Sequence, residues 1–177
     1  MRPLVRRALG AALVSLCLAS PAAARPDGPI DPYLDHIDEL ERLTLAWPAA
    51  GTVTDGFGVR WGRQHLGVDI GILRSLEVVA ATDGFVSAVG ELTEYEGYGT
   101  VVLLDAGEGW STLYAHLAVA RVRPGEWVVA GQSLGLAGCT GSCTGTHLHF
   151  ELRRGGRPVD PLPLLRASGY NPHPRGG

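Results

Sequence analysis

The chain has 177 residues, enough for one domain with a substantial core. Gly (25) and Pro (12) are abundant and only 19% of residues are charged, a mix that suits short strands and many turns better than a helical bundle. The formal net charge is −3, with no basic block or aromatic–basic stripe, so nothing supports nucleic-acid binding.

In chain order, MRPLVRR is a basic leader, ALGAALVSLCLA a short apolar run, and Ala22, Ala23 and Ala24 give an A-x-A cleavage pattern. This reads as a secretory signal peptide over 1–24, too short for a comfortable membrane span. No other segment is long or apolar enough to cross a bilayer, and Leu16 before Cys17 argues against a lipoprotein anchor. A secreted, periplasmic or wall-associated protein with no stable membrane anchor after cleavage is expected. Cleavage removes three of the 15 basic residues (Arg2, Arg6, Arg7) against 18 acidic ones, taking the formal charge from −3 to −6. It also leaves two cysteines, Cys139 and Cys143, in an oxidising compartment, where an even count favours a disulfide closing a small loop.

Residues 25–46 form a short arm. Asp31 is placed as an N-cap with Pro32 at the first helical position, and Leu34, Ile37 and Leu40 follow at helical spacing. The spacing predicts one amphipathic helix from Pro32 to Leu43, with His36 on its polar face. From Trp47 onward helical periodicity is absent. Short β-rich runs (VVAATDGFVSAVG, GTVVLLDAGEGWSTLYAHL, EWVVAGQSLGLAG, THLHFELRR) alternate with turns at Asp83-Gly84, Gly107–Gly109, Pro124-Gly125 and Gly155-Gly156. Many short strands with close turns predict an antiparallel sheet folded into a sandwich or open barrel. VVAATDGFV and VVAGQSLGL share a weak internal echo. The domain is expected over 47–166. The tail 167–177 has no core-forming pattern, and its His173 is given no role.

Three stretches carry candidate chemistry. In THLHFEL, period-two alternation puts Leu148, Phe150 and Leu152 on one strand face and His147 and His149 on the other. In GRQHLGVDIG, His65 and Asp69 lie four apart, where an imidazole and a hard carboxylate can converge on one ion. In TLYAHL, His116 sits in an apolar, aromatic run. Each alone has an ordinary explanation: a polar strand face, a chance surface pair, a satisfied core histidine. Together they would need three separate explanations where one site suffices. Three protein ligands and an open position are what a catalytic zinc needs.

HLGVD, YAHL and THLHFEL together resemble the signatures of the M23 family of zinc metallopeptidases, the LytM or lysostaphin-type peptidoglycan endopeptidases. The likeness extends from WPAAGTVTDGFGVRWGRQH through Gly97-Tyr98-Gly99 and RPGEWVVAGQSLGLAGCTG to PVDPLPLL, roughly Trp47 to Leu165. It implies a mainly β LytM fold, with antiparallel sheets in a barrel-sandwich-like duplicated hybrid motif and a short N-terminal helix. It implies Zn2+ held by His65, Asp69 and His149, with His116 and His147 beside the metal as catalytic groups that orient and deprotonate the attacking water. The substrate class implied is the peptide stems or cross-bridges of peptidoglycan. Two departures stand out. Many members carry Tyr in the FGxR stretch where this chain has Val59, and the loop before HxH carries Cys139 and Cys143. A C-x3-C-x3-H-x-H structural zinc site competes with the disulfide but leaves His65, Asp69 and His116 unexplained. The rival function is a non-catalytic LytM-type module that binds the wall or activates a partner amidase. A lipoyl-type or phosphotransfer carrier fails, because the chain has no Lys to modify.

Overall fold

The computed structural model describes residues 43–60 and 62–167. The expected signal peptide, the 32–43 helix short of Leu43, and the tail from Ser168 lie outside the described residues.

The fold is organised by one long strand. WSTLYAHLAVA forms β8 (Trp110–Ala120), and its Leu113, Tyr114, Ala115 and Leu117 are all fully buried. Buried on both faces, β8 serves several partners. It pairs antiparallel with β7 (Thr100–Gly107), with β11 (Leu148–Arg154) and, through its last residues, with β10 (Ser133–Ala137). The main sheet runs β1 (Thr52–Asp55), β4 (Val68–Gly71), β11, β8, β7, β6 (Gly84–Glu91) and β9 (Trp127–Val128). Off this path, β5 (Glu77–Val79) adds to β10 and β12 (Arg157–Val159) to β11. A separate hairpin pairs β2 (Gly58–Arg60) with β3 (Arg63–His65). Every pairing is antiparallel, and the fold is mainly β as expected. The described strands branch at β8 rather than closing into a barrel.

The sequence echo has a structural counterpart. VVAATDGFV supplies β5 and the start of β6, while VVAGQSLGL supplies the end of β9 and β10. The two segments pair reciprocally: Gly84 opposite Val128, and Val79 opposite Ser133. Main-chain bonds Ala80 N–H to Gln132 O (2.8 Å) and Gly131 N–H to Ala80 O (2.8 Å) tie the turns together.

Beneath these strands one apolar core joins Leu45, Val68, Ile70, Leu104, Tyr114, Leu117, Leu134, Leu148, Phe150 and Leu165. The Tyr114 hydroxyl accepts from the Ala81 amide (2.7 Å) and from Thr112 Oγ1 (3.1 Å), and burial pushes its pKa up to about 12. A buried Tyr kept neutral and bonded in this way costs the core little. A short α-helix near the end of the domain went unpredicted. PLPLLRA forms a short helix, α1 (Leu162–Ala167), whose first turn is capped by Asp160 Oδ1 accepting from the Leu162 amide (3.0 Å). Asp160-Pro161 is the same N-cap and first-position pair read at Asp31-Pro32.

Candidate metal centre

Register puts two of the candidate groups side by side. On β4 and β11, Asp69 and His149 are direct cross-strand partners, so their side chains share one face, while Val68, Ile70, Leu148 and Phe150 enter the core from the other. His65 arrives from the end of β3, and Gly58 is its partner across the hairpin.

The three side chains converge. His65 Nε2 lies 3.1 Å from Asp69 Oδ1, His149 Nδ1 lies 2.8 Å from the same oxygen, and the two ring nitrogens are 3.0 Å apart. The far side of each ring is fixed. His65 Nδ1–H donates to the Gly56 carbonyl (2.7 Å) and His149 Nε2–H donates to Glu151 Oε1 (3.2 Å). With those protons placed, the two neutral imidazoles turn lone pairs toward each other and toward a carboxylate oxygen. Three acceptors about 3 Å apart repel unless a cation or an extra proton lies between them. Donors about 2.0–2.1 Å from a tetrahedral zinc would stand roughly 3.3 Å apart, close to this spacing. The His-Asp-His group therefore fits a metal ion. Arg60 takes the other carboxylate oxygen, its guanidinium 3.6 Å from Asp69 Oδ2 while it also pairs with Asp55.

Electrostatics agree with the geometry. Burial alone would raise the Asp69 pKa, but the hydrogen bonds and charges of His149 and His65 hold it well below the usual carboxylate range. Burial alone would lower His149, yet its bonds to Asp69 and Glu151 outweigh that and raise it.

His116 reaches the site by a break in the ladder. Thr100 faces Leu117 and Val102 faces Tyr114, so Ala115 and His116 together oppose Val101, a β-bulge. At the bulge His116 has φ 59°, left-handed for a non-Gly residue, with its amide donating to Tyr98 O (2.9 Å). Such strained, re-aimed positions cluster at functional sites. Its Nδ1–H donates to Thr140 O (2.8 Å), leaving Nε2 unprotonated, and burial lowers its pKa. His147, just before β11, donates Nδ1–H to Gly145 O (2.7 Å), and its Nε2 lies 3.8 Å from Asp69 Oδ1. The His116 and His147 rings are 4.7 Å apart. All five sequence-predicted side chains line one open cleft of about 1040 Å3, with Arg60, Tyr98 and Cys143. Cys139 and Cys143 are joined in a disulfide, so the rival Cys2His2 arrangement is not formed. Val59 points away from any packing, 77% exposed.

Two groups escaped the sequence reading. Glu151, 0% exposed, accepts from His149 Nε2 and from the Tyr98 hydroxyl (2.6 Å), and its Oε2 is 3.5 Å from Arg153 Nε. The Tyr98 ring packs edge-on to His149, 5.2 Å between centroids, and over His116 at 6.3 Å. The signal for Glu151 was the alternation itself, since 147, 149 and 151 share one strand face. Gly67 makes room for this carboxylate: a Cβ there would lie 2.3 Å from Phe150 O and 2.9 Å from Glu151 Cγ.

The β-rich scaffold thus carries a His-Asp-His group that could hold a metal ion, with two further imidazoles in the same cleft. The profile of Peptidase family M23 matches residues 63–161, and the chain belongs to that family. It is 34% identical over 122 residues to the Murein hydrolase activator NlpD of Escherichia coli, covering 69% of this chain and 31% of that protein. Among solved structures it resembles lysostaphin, the antimicrobial peptidase from Staphylococcus simulans (TM-score 0.63, 29% identity, 76% of this chain and 55% of that one). It also resembles a zinc-containing peptidase from Vibrio cholerae (TM-score 0.55, 33% identity, 62% and 35%). The chain spans 21% to 39% of the length of the first curated relatives it matches. No helix among the described residues is long and apolar enough to cross a membrane.

Proposed function

We propose that the chain is a zinc-dependent endopeptidase that hydrolyses peptide cross-links of peptidoglycan, with His65 Nε2, Asp69 Oδ1 and His149 Nδ1 as the zinc ligands. The observation that carries this reading is the joint presence of a three-donor group and two further imidazoles, His116 and His147, in one cleft. When bound, zinc supplies a Lewis acid that polarises the scissile carbonyl and makes water nucleophilic near neutral pH. His116, neutral through burial and with Nδ1–H committed to Thr140, offers Nε2 to take the proton from the attacking water. His147, with Nδ1–H on Gly145 and Nε2 beside Asp69, donates to the developing oxyanion when Nε2 is also protonated, and His116 returns the proton it took to the leaving amine. Val59 cannot donate a hydrogen bond, so His116 and His147 carry that stabilisation. The leader and the relatives' envelope context support a periplasmic or secreted setting.

The second reading, a module that activates a partner amidase, draws on the relative named as a murein hydrolase activator. It leaves the intact cleft without a task. Zinc analysis and muropeptide digestion separate the two. His149→Ala should lose both zinc and cleavage. His116→Ala should keep zinc and lose about 10²–10⁴-fold in kcat, the range of one general acid–base group. Stoichiometric zinc in the wild type with no cleavage of any peptidoglycan would replace the peptidase reading with the activator one.

A further inference from the structure

The short hydrogen bonds that orient His116 and His147 both run to the main chain. Each is held by a main-chain carbonyl from the same short loop: Thr140 O for His116 and Gly145 O for His147. The Cys139–Cys143 disulfide closes the first part of that loop, around Thr140. Thr140 is itself pinned three ways. Its Oγ1 donates to Leu117 O (2.9 Å) and accepts from the Thr100 amide (3.0 Å), while its carbonyl takes the His116 proton. Inside the ring, the Ser142 amide donates to Gly97 O (2.7 Å), next to Tyr98. Gly141 sits there at φ +70°, and a Cβ on it would lie 2.4 Å from Gly97 O. At the closure of the ring, Cys143 Sγ lies 3.7 Å from His147 Nδ1. The metal ligands take no support from this loop. His65 is oriented by Gly56, His149 by Glu151, and Asp69 by Arg60. The disulfide is also reachable, since Cys139 is exposed and Cys143 half-buried.

The geometry points to a thiol-sensitive clamp: the Cys139–Cys143 disulfide holds the two non-ligand histidines in working position, so a dithiol reductant slows turnover without releasing the metal. This rests on the peptidase reading. The chemistry balances as ordinary exchange. A thiolate of the dithiol attacks exposed Cys139 Sγ, and the S–S bond breaks with its electron pair leaving on Cys143, which takes up a proton. The second thiol of the reductant then displaces Cys139, the reductant ending as a disulfide and the protein as two thiols. Once open, the loop no longer fixes the Thr140 carbonyl or the turn that presents Gly145. Both imidazoles are then free to change rotamer and tautomer, while His65, Asp69 and His149 keep their own supports.

The test uses the zinc-loaded full mature chain as oxidised wild type, as wild type reduced by a non-chelating phosphine, and as the Cys139→Ser/Cys143→Ser double variant. Thiol counting establishes each state. The expected result is a kcat at least tenfold lower in the last two, with KM and zinc per chain unchanged within twofold, and recovery on reoxidation of the wild type. Equal kcat in all three, or zinc lost in step with activity, overturns the clamp. An imidazole 15N spectrum supplies a readout independent of cleavage. The hydrogen-bonded Nδ1–H signals of His116 and His147 should broaden or vanish on reduction while the His65 Nδ1–H and His149 Nε2–H signals persist, and His116 and His147 signals that survive reduction also overturn it. If the oxidised protein cleaves no muropeptide, the peptidase reading fails, and the spectra still decide whether the clamp exists.

Discussion

The β8–β11 ladder has two ends with different character. At one end Ala115 faces His149 and the next residue on β8, His116, is thrown out by the bulge. At the other, Trp110 faces Arg154, whose guanidinium lies 4.7 Å over the indole. The two ends are roughly 20 Å apart at about 3.4 Å per residue. The regular end borders an apolar groove of about 890 Å3, lined by Trp47, Trp110 and Trp127, that shares no residue with the metal cleft. By apolarity alone the groove would be the better binding pocket. The cleft, by contrast, is rimmed by imidazoles with fixed tautomers. The difference teaches that chemistry sits where buried polar groups hold one another.

The sharpest way to break the contrast is to remove the carboxylate behind His149. Glu151→Gln keeps the shape and an acceptor for His149 Nε2–H but deletes the buried charge that makes this bond charge-assisted. Zinc affinity, measured against a competing chelator, should fall about 10–100-fold, the range for losing a partner behind a metal-bound histidine. Unchanged affinity would mean that Glu151 serves only Tyr98 and Arg153.

How much of this could be read from the sequence depends on how local the signal is. His65, Asp69, His116, His147 and His149 lie in short motifs whose spacing against neighbouring apolar residues marks them, and the structure gathers all five in one cleft. Glu151 was overlooked although the alternation that exposed His147 and His149 continues through it. It was hidden because β11 is buried on both faces, and a strand carboxylate is ordinarily solvated. The φ of 59° at His116 leaves no trace in the sequence, since the bulge arises from β7 and β8 pairing across a loop whose length the residue types do not encode. Short α1 was missed because six residues carry too little periodicity, even with Asp160-Pro161 announcing it. The antiparallel β class followed from many short runs and turn pairs. The branching at β8 did not, because one strand serving three partners is a long-range property.

A smaller effect separates the metal-free and metal-loaded states by pH. Without metal, His149 is more easily protonated in the folded chain than its ordinary 6.5 allows. Its contribution to stability is complete below 6.5 and is lost as pH rises through the raised folded value. Asp69 has the opposite sign: its contribution is complete above 3.8 and is lost as pH falls toward its depressed folded value. The pair therefore supports the metal-free fold best between 3.8 and 6.5. Metal binds the deprotonated imidazole, so the loaded protein gains as protons leave. The difference in Tm between loaded and metal-free protein should widen as pH rises past 6.5. Parallel Tm curves across that range would show that His149 is not linked to the metal.

The smallest expected effect lies at the regular end and sharpens the comparison by contrast. Trp127 is half exposed and packs edge-to-face on Phe85, 4.7 Å between centroids. Such a pair is worth about 0.5–1.5 kcal/mol beyond the area it buries. Trp127→Ala should lower Tm by a few degrees, about what a 1 kcal/mol loss produces in a domain of this size. Because groove and cleft share no residue, the shift should be the same in metal-free and metal-loaded protein and at every pH between 5 and 8. Zinc affinity should stay within twofold of wild type. If Trp127→Ala instead lowers zinc affinity or narrows the gap between the two Tm curves, the ends of the ladder are energetically coupled. The bulge at His116 would then fail to insulate the site from the sheet that carries it.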